Sequence, residues 1–116
     1  MRFKQNADLL RDTTNDVDEM GDAFIALCVL TGIASSDVMC CASLGEYPKG
    51  ENHTEAVRML RTIDPDAAKH LNTLLSMKTR TEYGESRVTA DEVKKAGRAA
   101  SALLEKARRA HAAAGG

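Results

Sequence analysis

Tryptophan is absent from this chain of 116 residues, and phenylalanine and tyrosine occur only twice each. Any core must therefore be aliphatic, and the aromatic and β-branched usage that strands prefer is missing. No period-2 alternation flanked by turn residues occurs, nor any internal repeat or low-complexity linker. The three cysteines, Cys28, Cys40 and Cys41, are an odd number with an adjacent pair. That pattern excludes a disulfide framework and fits a reducing cytosol, so a cytoplasmic location is expected. Neither these cysteines nor His53 have the paired spacing that zinc requires, and no metal or cofactor is expected. Glycine-rich phosphate loops, H-E-x-x-H and G-x-S-x-G are all absent, which removes the enzyme classes that such motifs carry. The opening Met1-Arg2-Phe3-Lys4-Gln5-Asn6 has no apolar stretch behind its charges, so a secretory signal is not expected.

What is present points to one helical domain. Charged residues make up 28% and hydrophobic residues 43%, values close to the globular average, so the chain should fold. The length suits a single domain over 1–116, with residues 1–5 and 114–116 expected to be disordered. Ala, Leu, Lys, Arg and Glu are abundant and favour helices. Residues 1–77 hold seven Lys/Arg against twelve Asp/Glu, whereas residues 78–116 hold nine against five. The two parts thus carry about −5 and +4 behind a net charge of −1. A basic C-terminal helix docked on an acidic remainder is the simplest reading. Pairing of two copies, or a modest face for nucleic acid, would use the same asymmetry.

The pattern predicts a first helix from Asn6 to about Asp16, with Ala7, Leu9 and Leu10 apolar. A second, from about Met20 to Leu44, is apolar nearly all round and is expected at the centre of the core. Its densest run, Ala23 to Ala34, is shorter than the ~20 residues that a membrane span needs, so no membrane is expected. Small residues Gly32, Ala34, Ser35 and Ser36 allow close approach of another backbone, and Gly45 is placed for a left-handed C-cap. After a loop over Glu46–Glu51, Asn52 can cap a helix carrying Glu55, with Ala56, Val57, Leu60 and Ile63 as its apolar stripe. Asp64-Pro65 restarts the chain as N-cap and first helical position. That helix presents Ala67, Leu71, Leu74 and Leu75 and ends near Tyr83-Gly84. The last helix has a capping box in Thr89 and Glu92, with Val88 and Val93 as a hydrophobic staple. An all-α, up-and-down antiparallel bundle of four to five helices follows.

Few residues stand out chemically. Asp37 shares a helical face with Leu30, Ile33, Cys41 and Leu44, so a carboxylate enters apolar surroundings and needs a partner such as Arg80, Lys78 or His53. A structural salt bridge or hydrogen bond across helices is the simpler explanation, and orienting a catalytic or binding group is the other. Lys78, Arg80 and Tyr83 gather cationic and phenolic groups near the end of the fourth helix. They either complement the helix dipole or contact a phosphate, with Arg80 as a planar fork and Tyr83 stacking.

The segments Thr31–Gly45, Asn52–Leu60 and Leu75–Gly84, followed by Val88-Thr89-Ala90-Asp91-Glu92 and an Ala/Leu helix, resemble small bacterial and phage proteins of the HEPN superfamily over about residues 20–110. The resemblance implies a bundle of four or five helices, often a homodimer. It implies either a metal-independent ribonuclease of toxin–antitoxin or defence systems, or a non-catalytic member that binds nucleotides or assists a nucleotidyltransferase. Ribonuclease members carry an Arg followed by His after four to six residues, and no Arg here has that His; Arg80 is followed by Tyr83, a poor base near neutral pH. A non-catalytic binding module is therefore expected, contacting a nucleotide, RNA or a protein partner such as an antitoxin or nucleotidyltransferase through Lys78, Arg80, Tyr83, Asp37 and His53. The alternatives are a divergent ribonuclease in which His53 works as base beside Arg80, and a purely structural dimer. Tyr83 also resembles the tyrosine that nucleotide addition modifies in silenced toxins.

Overall fold

Four helices account for the chain in order: α1 (Asn6–Leu44), α2 (His53–Ile63), α3 (Pro65–Tyr83) and α4 (Ala90–Ala113). The computed structural model describes residues 6–48, 53–83 and 88–115, with side chains described for 20–48, 53–79 and 88–115. The all-α class is as expected. Asn52 and Gly84, read as a cap and a stop, lie outside the described residues, as do the side chains of Ala7, Leu9 and Leu10.

Two helices predicted over 6–44 are one. α1 continues through Asp16 to Met20 because nothing there breaks it: there is no proline, and Gly21 only weakens a helix. Gly21 also faces Val88, whose Cγ1 would stand 3.4 Å from a Cβ at that position. At ~1.5 Å per residue a helix of this length spans ~58 Å, which accounts for the long axis of a molecule measuring 57 × 27 × 24 Å. α1 ends on Gly45, whose φ of +75° and N–H bond to the Cys41 carbonyl (3.0 Å) form the predicted left-handed cap.

The other predicted boundaries are visible as hydrogen bonds. Asp64 alone separates α2 from α3, and its Oδ1 accepts from the Ala67 N–H at 3.0 Å. At α4 the Glu92 N–H donates to Thr89 Oγ1 (3.1 Å) and the Thr89 N–H donates to Glu92 Oε1 (2.9 Å). These reciprocal bonds complete the capping box. At the far end the Ala114 N–H reaches the Ala110 carbonyl and the Gly115 N–H the Ala112 carbonyl, both at 3.1 Å.

The helices do not all alternate in direction. Going along α1, Gly21 meets Val88, Phe24 meets Gly97, Gly32 meets Leu103, and Asp37 shares a cavity with His111. The partners on α4 rise in the same order, so α1 and α4 run parallel. α3 starts at Asp64, bonded to Lys106, and passes Gly32 at Leu74, so it runs opposite to both. α2 forms an antiparallel hairpin with α3 and therefore points the same way as α1. The predicted alternation holds for α2, α3 and α4 only, because α2 begins with His53 beside Lys78 near the end of α3, well back along α1 from Leu44.

The core is aliphatic: among the described residues Ile25, Val29, Leu60, Leu71, Leu74 and Leu103 are buried together with seven alanines and two of the three cysteines, Cys28 and Cys40. Burial pushes both thiols up, and the nearby charge of Asp37 adds to the effect at Cys40. Cys41, unlike the other two, is exposed. α1 likewise departs from the fully buried helix expected. Its inner face is buried, but Met20, Phe24, Leu27, Leu30 and Val38 remain exposed. Its apolar stretch is also longer than the densest run suggested. Met20–Leu44 is long and apolar enough, by length and composition, to cross a membrane, although 44% of its most apolar window is buried inside the fold.

Candidate functional site in the groove between α2 and α3

α2 and α3 lie side by side because the single-residue turn at Asp64 folds the chain back on itself. Asp64 is held there from two directions, by the Ala67 N–H and by Lys106 Nζ at 2.8 Å from Oδ2. Burial alone would raise its pKa, but the bonds from Lys106 and Ala67 outweigh it and leave the carboxyl below its ordinary value. With the hairpin fixed, the first turn of α2 comes to rest beside the last turns of α3. His53 Nε2 then stands 3.5 Å from Lys78 Nζ.

The two helices enclose a groove of about 440 Å³ lined by His53, Thr54, Val57, Arg58, Arg61, Asn72, Leu75, Ser76 and Thr79. Cationic, hydroxyl and amide groups dominate this lining, and no acidic side chain is part of it. Arg58 is engaged by Glu55, to which its Nε donates at 3.0 Å and its Nη2 donates a second bond. Those bonds hold the Glu55 carboxyl below its ordinary value. Arg61 has no ion pair among the described residues. The groove opens at the N-terminal turn of α2, the positive end of that helix's dipole. Chemically the arrangement suits an anion with several acceptor oxygens, bound by Arg, Lys and hydroxyl donors around an apolar floor of Val57 and Leu75.

Of the residues singled out from the sequence, the structure brings His53 and Lys78 together here. Arg80 and Tyr83 belong to the last turns of α3, but their side chains lie outside the described residues. Asp37 is elsewhere. It is half-buried on α1 and shares a separate cavity of about 420 Å³ with Val38, Cys41, Ala42, Tyr47, His111 and Ala114. Neither His53 nor Lys78 lines that cavity, and among the described residues Asp37 has no ion pair. Burial without compensation pushes its carboxyl up. No hydrogen bond joins Asp37, Cys41 and His111 among the described residues, and no group of three or more His, Cys, Asp or Glu there is placed to hold a metal.

Sequence reading missed Arg58, Arg61, Asn72 and Ser76. Their signal was nonetheless present as two polar stripes at helical spacing, 54-58-61 on α2 and 72-76-79 on α3, joined by a turn of one residue. Comparison of the chain with protein-family models, with curated proteins and with solved structures finds no match in any of the three.

Proposed function

We propose that this chain is a non-catalytic binding module that takes a phosphate-bearing ligand, a nucleotide or a short stretch of RNA backbone, in the groove between α2 and α3. The observation that carries the reading is the composition of the groove wall: Arg58, Arg61 and His53 with hydroxyl and amide donors and no carboxylate, beside Lys78. Arg80 at the end of α3 extends the same cationic run, and Tyr83 supplies a surface for base stacking. A cytosolic setting goes with this reading. The resemblance to the HEPN superfamily points the same way, with an antitoxin or nucleotidyltransferase as the protein partner that it implies. The parallel α1 and α2 depart from the alternating bundle it implies, so the proposal rests on the groove.

The test is a titration of labelled nucleotide and short single-stranded RNA against wild type, Arg61→Ala and Lys78→Ala. Each substitution is expected to weaken binding by roughly ten- to a hundredfold, the cost of one charge-assisted hydrogen bond at ~1.5–3 kcal/mol, and to flatten the salt dependence. Unchanged affinity in both variants sinks the reading.

The contact between His53 and Lys78 favours one alternative, a divergent ribonuclease in which the imidazole moves the proton and the cations stabilise the phosphorane. It predicts metal-independent RNA cleavage that is lost in His53→Ala and Arg80→Ala. Intact RNA after incubation with wild type rejects it.

A further inference from the structure

The solvent face of α1 carries a continuous apolar stripe that the groove does not use. Met20 is 69% exposed, Leu27 63% and Leu30 64%, and Phe24 and Val38 are exposed beside them. These residues are not scattered. Met20, Leu27, Ala34 and Cys41 recur every seven positions, and Phe24, Thr31 and Val38 form a second series between them. A seven-residue period with two interleaved series is the spacing by which one helix packs along another at a shallow angle of ~20°. From Met20 to Leu44 the only charges are Asp22, on the far side of the helix, and Asp37, at the edge of the stripe.

The stripe also has a direction. Its first half bears large exposed knobs, Met20, Phe24, Leu27 and Leu30. Its second half bears small residues, Thr31, Ala34, Val38 and Cys41, and ends at the cavity of about 420 Å³ formed with Tyr47 and His111. A second stripe laid antiparallel, with its two-fold axis between Leu30 and Thr31, sets Leu27 against Ala34, Met20 against Cys41 at the cavity mouth, and Phe24 against the step between Asp37 and Val38. Large meets small on either side of the axis, where the two Leu30 side chains meet each other. Such self-complementarity is what a two-fold interface demands of a single surface.

We infer that the exposed face of α1 between Met20 and Cys41 is the interface of an antiparallel homodimer, in which Met20 and Phe24 of each copy seat against the Val38, Cys41 and Tyr47 cavity of the other. The size suits a weak dimer. From Met20 to Cys41 the stripe is ~33 Å long and a helix diameter of ~10 Å wide, or ~330 Å² in projection, the scale at which apolar patches mark interaction sites. With Tyr47 at the cavity mouth the contact stays below the ~800 Å² per partner of a standard interface, so a weak, concentration-dependent dimer is expected. No residue of α1 lines the groove between α2 and α3, so the inference does not depend on the proposed ligand.

Sedimentation velocity of the full chain over a wide concentration range tests it, together with the double variant Leu27→Glu/Leu30→Glu. Both leucines are exposed, so the variant should keep its helical circular dichroism while its dimer dissociation constant rises ~100-fold or more, as carboxylates are forced into apolar contact. Orientation is tested by oxidation of Leu30→Cys in a Cys41→Ser background. Position 30 lies near the axis and should cross-link to its counterpart, whereas the two Cys41 residues of wild type are ~30 Å apart along the helices and should not. Wild type that remains monomeric at high micromolar concentration overturns the proposal, whether or not it binds lipid vesicles. Rapid Cys41–Cys41 linkage without linkage at position 30 overturns the antiparallel arrangement.

Discussion

α1 and α4 are the two longest helices, they run parallel and in contact, and they are written in opposite ways. α4 begins with a complete capping box and buries one stripe, Ala96, Ala99, Ala100, Leu103 and Ala107, with Lys94, Lys95, Arg98 and Arg108 on the exposed side. Apart from Leu104, its large apolar side chains are covered by the fold. α1 buries Ile25, Cys28, Val29, Ser36 and Cys40 on one side and still exposes Met20, Leu27 and Leu30 on the other. The lesson is that an apolar helix face becomes core only when a neighbour exists to cover it. α3, α4 and α2 together cover about half of the circumference of α1.

The contrast can be broken most sharply by trimming one leucine from each helix. Leu103→Ala removes a fully buried side chain and should cost ~2–5 kcal/mol, read as a loss of denaturant midpoint at constant m-value. Leu30→Ala at low protein concentration should stay within about 0.5 kcal/mol of wild type, as expected for an exposed position. Equal effects would show that the outer face of α1 is covered within a single chain.

Gly32 sharpens the comparison from the inside, because it is where α1 comes closest to α3 and α4. A Cβ there would stand 2.6 Å from Leu74 Cδ1 and 3.2 Å from Leu103 Cδ1. Both leucines are fully buried, so their tips have little room to turn away. Gly32→Ala gains ~1 kcal/mol of helix propensity against ~1–3 kcal/mol of overpacking. The expected net loss is ~1 kcal/mol, seen as a lower Tm. The same change at Gly97, where Phe24 leaves 3.5 Å, should raise Tm instead.

The start of α4 should be nearly as sensitive as that packing contact. Thr89→Ala removes one of the two reciprocal bonds of the capping box and should cost ~1 kcal/mol, with amide exchange speeding up most in residues 90–93. A loss confined to that turn would show that α4 depends locally on its cap. A loss spread over α1 would show that the two helices melt as one unit.

These elements also divide what could be read in the sequence from what could not. The Thr89–Glu92 box, the Asp64–Pro65 restart and the Gly45 cap were legible because each is decided by residues within one turn of chain. The joining of 6–16 to 20–44 was not, since Thr13-Thr14-Asn15-Asp16 are weak helix formers without being breakers, and packing settles such cases. The groove was half legible. His53 and Lys78 stood out as candidates, but Arg58 and Arg61 acquire meaning only once the hairpin turns their stripe toward Asn72 and Ser76. Asp37 illustrates the same limit: helical periodicity placed it correctly at an apolar edge, yet its neighbours Tyr47 and His111 come from a loop and from the end of α4. Sequence distance said nothing about either.

That edge position gives the smallest effect, and one whose sign is informative. Burial raises the Asp37 pKa above the ordinary carboxylate value. The folded state therefore holds this proton more tightly than the unfolded chain. Stability from Asp37 is fully present below the unfolded pKa of ~3.9 and is lost as pH rises through the folded value. Asp64 behaves oppositely: its lowered pKa makes its contribution present above the unfolded value and lost as pH falls through the folded one. Asp37→Asn should accordingly be slightly more stable than its parent at neutral pH, with the difference shrinking toward pH ~4. Measured in the Leu27→Glu/Leu30→Glu background, the comparison excludes dimer formation from the readout. A neutral-pH loss in Asp37→Asn would mean that the carboxylate is held by a favourable partner in solution, and that the cavity beside Cys41 and His111 is polar when occupied rather than an apolar seat for Met20 and Phe24.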